Sequence, residues 1–192
     1  MAAPKRARGN VIRIIGGRWR GRRIAVPDAP GCRPTGDRVR ETLFNWLRPW
    51  LPGARCADLC AGTGALGLEA LSQGAAHCVF VDSNAALIRQ LGTVRDTIGA
   101  DASTLVRADA LAWLKSNTGR FDIVFLDPPF DSGLAEPLLA ALLAGGHLAD
   151  AALVYCETPR GAPAGEPGRW DEVRCGHTAQ VDYRLLSPRA EQ

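Results

Sequence analysis

The sequence predicts a doubly wound α/β domain. It should hold a mostly parallel sheet of about seven strands with helices on both faces, an antiparallel C-terminal edge and a small N-terminal β-hairpin extension. Three observations carry this. From residue 55 onward, short β-branched runs alternate with helical stretches, the pattern of a parallel sheet. The last two runs, "WDEVRCGHTA" and "QVDYRLLSP", follow one another with no helix between them, as adjacent antiparallel strands do. The first fifty residues differ from the rest in charge: they hold twelve Lys and Arg against three acidic residues, while 51–192 holds eleven against seventeen.

The elements follow in order. "VIRIIGGRWRGRRIAVP" has two short β-type runs around "GGRWRG", which predicts a hairpin, and residues 1–34 form the extension. Residues 35–192 form the main domain. "TGDRVRETLFNWLRPW" opens with a Thr/Asp cap signal, spaces Val39, Leu43, Trp46 and Leu47 as one helical face, and is closed by Pro49 and Pro52. Strands are predicted at 55–60, 77–82, 103–107, 121–126 and 151–157. The helices between them are "GALGLEALSQG", "NAALIRQLGTVRDTIG", "DALAWLKSN" and "LAEPLLAALLAGG". A Pro/Gly loop, "PRGAPAGEPG", precedes the terminal strand pair.

Composition excludes several function classes. With 46% hydrophobic and 22% charged residues in 192, one globular domain with a real core is expected. The longest apolar run, "LLAALLAGG", is far shorter than the ~20 residues of a membrane span. No apolar segment of signal-peptide type follows the basic start, so a cytoplasmic protein without membrane contact is expected. Six cysteines and three histidines show no zinc spacing, which predicts free, buried thiols and no metal. The basic front suggests a nucleic-acid partner, with Arg13, Arg18, Arg20, Arg22 and Arg23 lining the hairpin and Trp19 set among them.

In such sheets ligands bind beyond the C-terminal strand ends. The first strand-to-helix turn reads "ADLCAGTGALGLEAL", where Gly62-x-Gly64-x-x-Gly67 is a glycine fingerprint and Asp82 ends the next strand twenty residues after Gly62. Asp82 is placed to accept from a ribose, with Ala61 and Ser83 beside these positions. Dinucleotides and S-adenosyl-L-methionine both fit this context. Asp58 separates them: against a pyrophosphate at ~4 Å a carboxylate is repelled by about 4 kcal/mol at an effective dielectric near 20. The sulfonium and ammonium of S-adenosyl-L-methionine are cationic. Asp109, followed by Ala110, is expected near the adenine amino group, as a helix N-cap, or as both.

The fourth strand ends in "FDIVFLDPPF". Two prolines stop a strand and make a stiff turn. Beside a methyl donor, Asp127 and the Pro128 carbonyl can each accept one hydrogen of a planar amine, which directs its lone pair at the methyl carbon. Pro129 rigidifies the turn and Phe130 offers a face for a base. "DPPF" resembles the signature of methyltransferases acting on exocyclic or amide nitrogens.

Together "RIIGGRWRGRRI", "RPTGDRVRETLFNWL", "AGTGALGLEAL", "LDPPF" and "YRLL" resemble the bacterial RsmD family, over residues 11 to 186. The resemblance implies a Rossmann-like class I methyltransferase fold and S-adenosyl-L-methionine as cofactor. It implies methylation of the N2 amino group of one guanine in 16S ribosomal RNA, within an assembling small subunit and by a monomer. It also implies that Thr35 and Arg38 lie near the cofactor, Arg33 and Arg40 near the RNA, and Glu41 near both. The family also has Glu where this chain has Asp82, and some members have Asn or Ser near Asp109. Rival readings are an adenine-N6 DNA or glutamine methyltransferase, a dinucleotide-dependent oxidoreductase and a non-catalytic RNA-binding module.

Overall fold

A computed structural model of the chain describes residues 11–25 and 36–189. Nine strands and five α-helices are found among them. The two strands of the extension, β1 (Val11–Arg13) and β2 (Arg23–Ala25), pair antiparallel with Ile12 opposite Ile24. Their connection contains a single 3-10 turn at Gly17–Trp19. Helix α1 spans Asp37–Leu47. There follow β3 (Arg55–Leu59), α2 (Ala65–Ser72), β4 (His77–Asp82), α3 (Ala85–Ile98), β5 (Ser103–Arg107), α4 (Ala110–Ser116), β6 (Phe121–Leu126) and α5 (Ala135–Ala144). The chain ends in three strands, β7 (Leu148–Pro159), β8 (Trp170–His177) and β9 (Val181–Pro188).

Seven strands form one sheet in the order β5-β4-β3-β6-β7-β9-β8. The first five are parallel neighbours, and β9 inserts antiparallel between β7 and the edge strand β8. Strand order reverses between β3 and β6, so their C-terminal ends border the crevice where this topology places ligands. The strands alternate their contributions to two apolar layers. On one face Cys56, Phe80, Ile123, Phe125 and Tyr155 pack with α1, α2, α3 and the hairpin; on the other Ala57, Leu59, Val124 and Leu126 pack with α4 and α5.

Several local expectations are revised. Helix α1 has Gly36 at its N-cap with no side-chain cap; Asp37 instead pairs with Arg40 one turn later, at 2.6 Å. The boundary expected at residues 34 and 35 lies outside the described residues, as do Arg33 and Thr35. Cys56, Cys78 and Cys156 are buried free thiols, but Cys175 is exposed on the edge strand and bonded to Glu172. No helix among the described residues is long and apolar enough to cross a membrane.

The hairpin is part of the packed body. Ile12, Ile14, Trp19 and Ile24 are buried in the same apolar layer as Leu43, Phe44 and Leu47. Glu69, on α2 and with no exposure, accepts from the backbone N–H of Ile15 at 2.8 Å and of Gly16 at 2.7 Å. It accepts again from Gln73 Nε2 at 2.7 Å and lies 3.6 Å from the Arg40 guanidinium. Ser72 Oγ donates to Gly16 O at 2.6 Å and accepts from Trp19 N at 3.0 Å. Four backbone groups of residues 15–19 thereby find their partners on α2 rather than in water.

Candidate active site

The glycine loop is built to bring helix α2 onto the sheet. Gly64, the N-cap of α2, has φ 74°, a conformation costly for any residue with a Cβ. A Cβ on Gly67 would stand 2.3 Å from the Phe80 ring and 2.8 Å from Cys78 Sγ, so the third glycine sets the distance between helix and strand.

Five amides of the loop and of the first turn of α2 are engaged inside the protein. Cys60 N and Ala61 N donate to Val81 O at 3.0 and 2.9 Å, and Gly64 N donates to Ala61 O at 2.7 Å. Gly62 N donates to Asp82 Oδ2 at 2.8 Å, and Gly67 N to Asp58 Oδ2 at 3.0 Å. An anion-binding loop presents such amides to its ligand. Here they are engaged within the protein, two of them on carboxylates.

Strand register sets what lines the rim. Leu59 pairs with Val81 and with Leu126, and Leu126 pairs with Cys156. One residue further, Asp82, Cys60 and Asp127 stand at the ends of β4, β3 and β6, level with Glu157 in β7, which runs two residues beyond it. The Cys60 thiol responds to their field. It is pushed up to about 12, chiefly by burial and then by Asp82, Asp58, Asp127 and Asp109. Cys60 has φ 70° with no glycine to ease it, which marks the turn out of β3 as strained.

Asp58 lies below the rim. It is 2% exposed and accepts from α2's first turn, so it is a buried helix-end acceptor rather than an open carboxylate in the cleft. Burial pushes it up to about 8, with Asp127 and Asp82 adding to the rise and the Gly67 N–H opposing it. Near neutral pH it holds a proton, and a cation brought beside it would favour releasing that proton. Its expected repulsion of a pyrophosphate is therefore smaller than a full charge predicts; the engaged amides disfavour that ligand instead.

Asp82 also accepts from Asn84 N at 2.7 Å, while Ser83 beside it is exposed. Asp109 is exposed and caps α4 through Ala112 N at 2.9 Å, the N-cap geometry anticipated for it. Ala61 and Ala110 are each 7% exposed. On the far side of the crevice Asp127 is half-buried, Pro128 buried and Pro129 exposed, and the Phe130 ring is 44% exposed at the start of a short 3-10 turn.

Two residues expected on RNA do not reach the surface. Arg40 is 1% exposed, because its side chain turns inward to Arg13 O at 2.9 Å, Asp37 and Glu69. Trp19 is 6% exposed in the apolar layer, with the Arg18 guanidinium 4.0 Å over its ring. Arg13, Arg18, Arg20, Arg22, Arg23 and Arg38 are exposed. The hairpin tip lies on the C-terminal turn of α2, so about 12 Å of helix, eight residues at a rise of ~1.5 Å each, separates it from the glycine loop. Glu69 and Glu157 were not anticipated. A lone Glu in the otherwise apolar "ALGLEALS" was the available signal for the first.

Comparison with known proteins places this geometry. The family model described as conserved hypothetical protein 95 matches residues 12–187. The ribosomal RNA small subunit methyltransferase D of Escherichia coli K12 is 45% identical over 193 residues, covering 100% of this chain and 97% of that protein. The protein of the same name from Haemophilus influenzae is 41% identical, covering 91% and 92%. The solved structure of the yhhF protein from Escherichia coli superposes with a TM-score of 0.86 at 44% identity, over 95% of this chain and all of that one. An RNA methyltransferase from Salinibacter ruber, solved with S-adenosyl-L-homocysteine, shares the fold alone: 17% identity, TM-score 0.64, covering 83% and 97%. The chain belongs to the RsmD family, that of ribosomal RNA small subunit methyltransferase D.

Proposed function

We propose that the protein transfers a methyl group from S-adenosyl-L-methionine to the exocyclic N2 amino group of a guanine in 16S ribosomal RNA. The observation that carries this is the Asp127-Pro128-Pro129-Phe130 turn. It stands at the end of β6, directly across the strand-order reversal from a glycine loop whose Cys60, Ala61, Gly62 and Gly64 amides are engaged within the protein. Relatives covering the whole chain and named small-subunit ribosomal RNA methyltransferases support the substrate class. The guanine and its N2 atom rest on the family resemblance.

The donor set fits a cationic cofactor. S-adenosyl-L-methionine, when bound, supplies a methyl group activated by positive sulfur. Asp82 would hold its ribose, Asp109 and Ala110 its adenine, Gly62 and Gly64 the floor beneath it, and Asp58 the positive end through the first turn of α2. Arg38, exposed in the first turn of α1, would close over that side.

On the acceptor side, the Asp127 carboxylate and the Pro128 carbonyl accept the two amine hydrogens. This holds the nitrogen with its lone pair toward the methyl carbon and so removes most of the orientational cost of the reaction. Nitrogen gains its bond to carbon as the carbon–sulfur bond breaks, and the surplus proton leaves nitrogen toward Asp127. The exposed Phe130 ring stacks on the flipped base, a contact worth ~1–3 kcal/mol. Neither metal nor covalent intermediate is required.

The exposed hairpin arginines hold flanking phosphates, about one α2 length from the glycine loop. The protein would act as a monomer on an assembling small subunit. The test is to incubate purified protein and methyl-labelled cofactor with 16S ribosomal RNA, bare and in partly assembled subunits, then digest to nucleosides. N2-methylguanosine at a single position is the expected product. Label in adenosine, or in protein, would overturn the proposal.

A further inference from the structure

The Asp-Pro-Pro-Phe turn grips an amine but does not choose the base that carries it. Adenine and guanine both offer a planar exocyclic amine, and Asp127 could accept from either. Base identity must be read from the neighbouring ring position. Guanine's Watson–Crick edge presents N1–H beside the N2 amine, two adjacent donors. Adenine presents an unprotonated N1 beside its amine, an acceptor next to a donor. A site that selects guanine for N2 methylation therefore needs a second acceptor next to Asp127.

Strand β7 supplies one. The pairing of Leu126 with Cys156 brings Asp127 and Glu157 level on adjacent parallel strands. By strand alternation Glu157 shares the sheet face of Tyr155 and Leu153. The two carboxylates act on common neighbours: both raise the Tyr155 phenol and both raise the Cys156 thiol. Glu157 is also held in place. Tyr155, with no exposure, donates its O–H to Glu157 Oε1 at 2.6 Å, and burial keeps that phenol protonated and donating. On the other side Tyr183 lies opposite Glu157 on β9 and is stacked on Trp46 of α1, with ring centroids 5.5 Å apart. These aromatics make a wall beside the carboxylate. Glu157 itself is 6% exposed, as a group met only by the edge of an inserted base would be.

We propose that Glu157 reads the target base, accepting from guanine N1–H while Asp127 and the Pro128 carbonyl accept from the N2 amine. Tyr155 is a positioning residue that orients the Glu157 carboxylate. Adenine is rejected because its N1 lone pair would face a buried carboxylate, leaving both unsatisfied. The inference rests on the N2-guanine reading above and extends it to the residue that enforces the choice.

The test uses 16S ribosomal RNA in which the methylated guanosine, once located, is replaced by 2-aminopurine riboside. That base keeps the N2 amine but has an unprotonated N1. The intrinsic reactivities of the two amines differ, so the informative quantity is the change in the guanine to 2-aminopurine ratio of kcat/KM between proteins. Glu157→Gln preserves shape and adds an amide that can donate to N1. It should lower the ratio by roughly ten- to a hundredfold, the discrimination of one good base contact, with cofactor affinity unchanged. Tyr155→Phe should lower it by a smaller factor in the same direction, and it carries the test if Glu157→Gln does not fold. Equal losses on both bases, with the ratio kept in each folded variant, would overturn the assignment and make Glu157 a structural carboxylate. A wild-type product other than N2-methylguanosine would instead sink the underlying function, an outcome read from the unmodified RNA alone.

Discussion

Replacing Glu69 with Ala tests how firmly the basic hairpin is built into the body. The carboxylate has no exposure, accepts from Ile15 N at 2.8 Å, Gly16 N at 2.7 Å and Gln73 Nε2 at 2.7 Å, and forms an ion pair with the Arg40 guanidinium at 3.6 Å. Its removal orphans two backbone amides and leaves a guanidinium of 1% exposure without its opposite charge on α2. Breaking a buried ion pair from one side costs about 3–5 kcal/mol, and the amide losses overlap with that figure rather than add to it. At about 2–4 °C per kcal/mol for a chain of this size, the melting temperature should fall on the order of 10 °C. Urea unfolding of wild type, Glu69→Ala, Arg40→Ala and the double variant gives the coupling directly. The double variant should be more stable than the sum of the two single losses by about 1–3 kcal/mol. A Glu69→Ala loss under about 1 kcal/mol, or strict additivity, would refute the clasp and return the hairpin to a loosely attached arm.

Three other outcomes follow from the same geometry. Asp82→Ala removes the acceptor for Gly62 N and Asn84 N as well as the expected ribose contact. Cofactor affinity should fall by at least the ~1.5–3 kcal/mol of a charge-assisted hydrogen bond, and calorimetry showing unchanged affinity would count against the assignment. Changing Arg18, Arg20, Arg22 and Arg23 to Gln should weaken RNA binding and flatten its salt dependence by up to about 0.7 log units per lost contact, with cofactor affinity intact; an unaltered slope would remove the hairpin from the RNA interface. Asp58 holds its proton up to about pH 8 in the fold but only to about 3.9 in the unfolded chain, so its contribution to stability is lost progressively as pH rises from 4 to 8. A cationic cofactor favours the ionised form. Affinity measured by calorimetry should therefore rise between pH 6.0 and 7.5, with proton release, and Asp58→Asn should abolish the dependence; a flat wild-type profile would contradict it.

Most strands were legible because they are compact runs rich in β-branched or aromatic residues bounded by turn residues, and the rim residues because ligands in this topology gather at C-terminal strand ends. "DPPF" was legible as chemistry because a tandem proline has no use inside a strand. Charge counting misled at Arg40. The spacing of Arg40, Leu43, Phe44 and Leu47 sets the arginine on the buried face of α1, and its partners other than Asp37 lie on β1 and α2, elements a local pattern does not connect to it. Trp19 is expected at the RNA because arginines surround it in sequence, but its turn lies against Ser72, 53 residues away. Glu157 became visible only through the β6–β7 register, a non-local fact that sets two carboxylates side by side.

The most direct test of the account is Asp127→Ala in single turnover with saturating cofactor and RNA. If Asp127 accepts from the target amine in the transition state, the methyl-transfer rate should fall by about a hundredfold or more, while cofactor affinity stays within a few-fold of wild type. A single-turnover rate near that of wild type, with binding intact, would contradict the account.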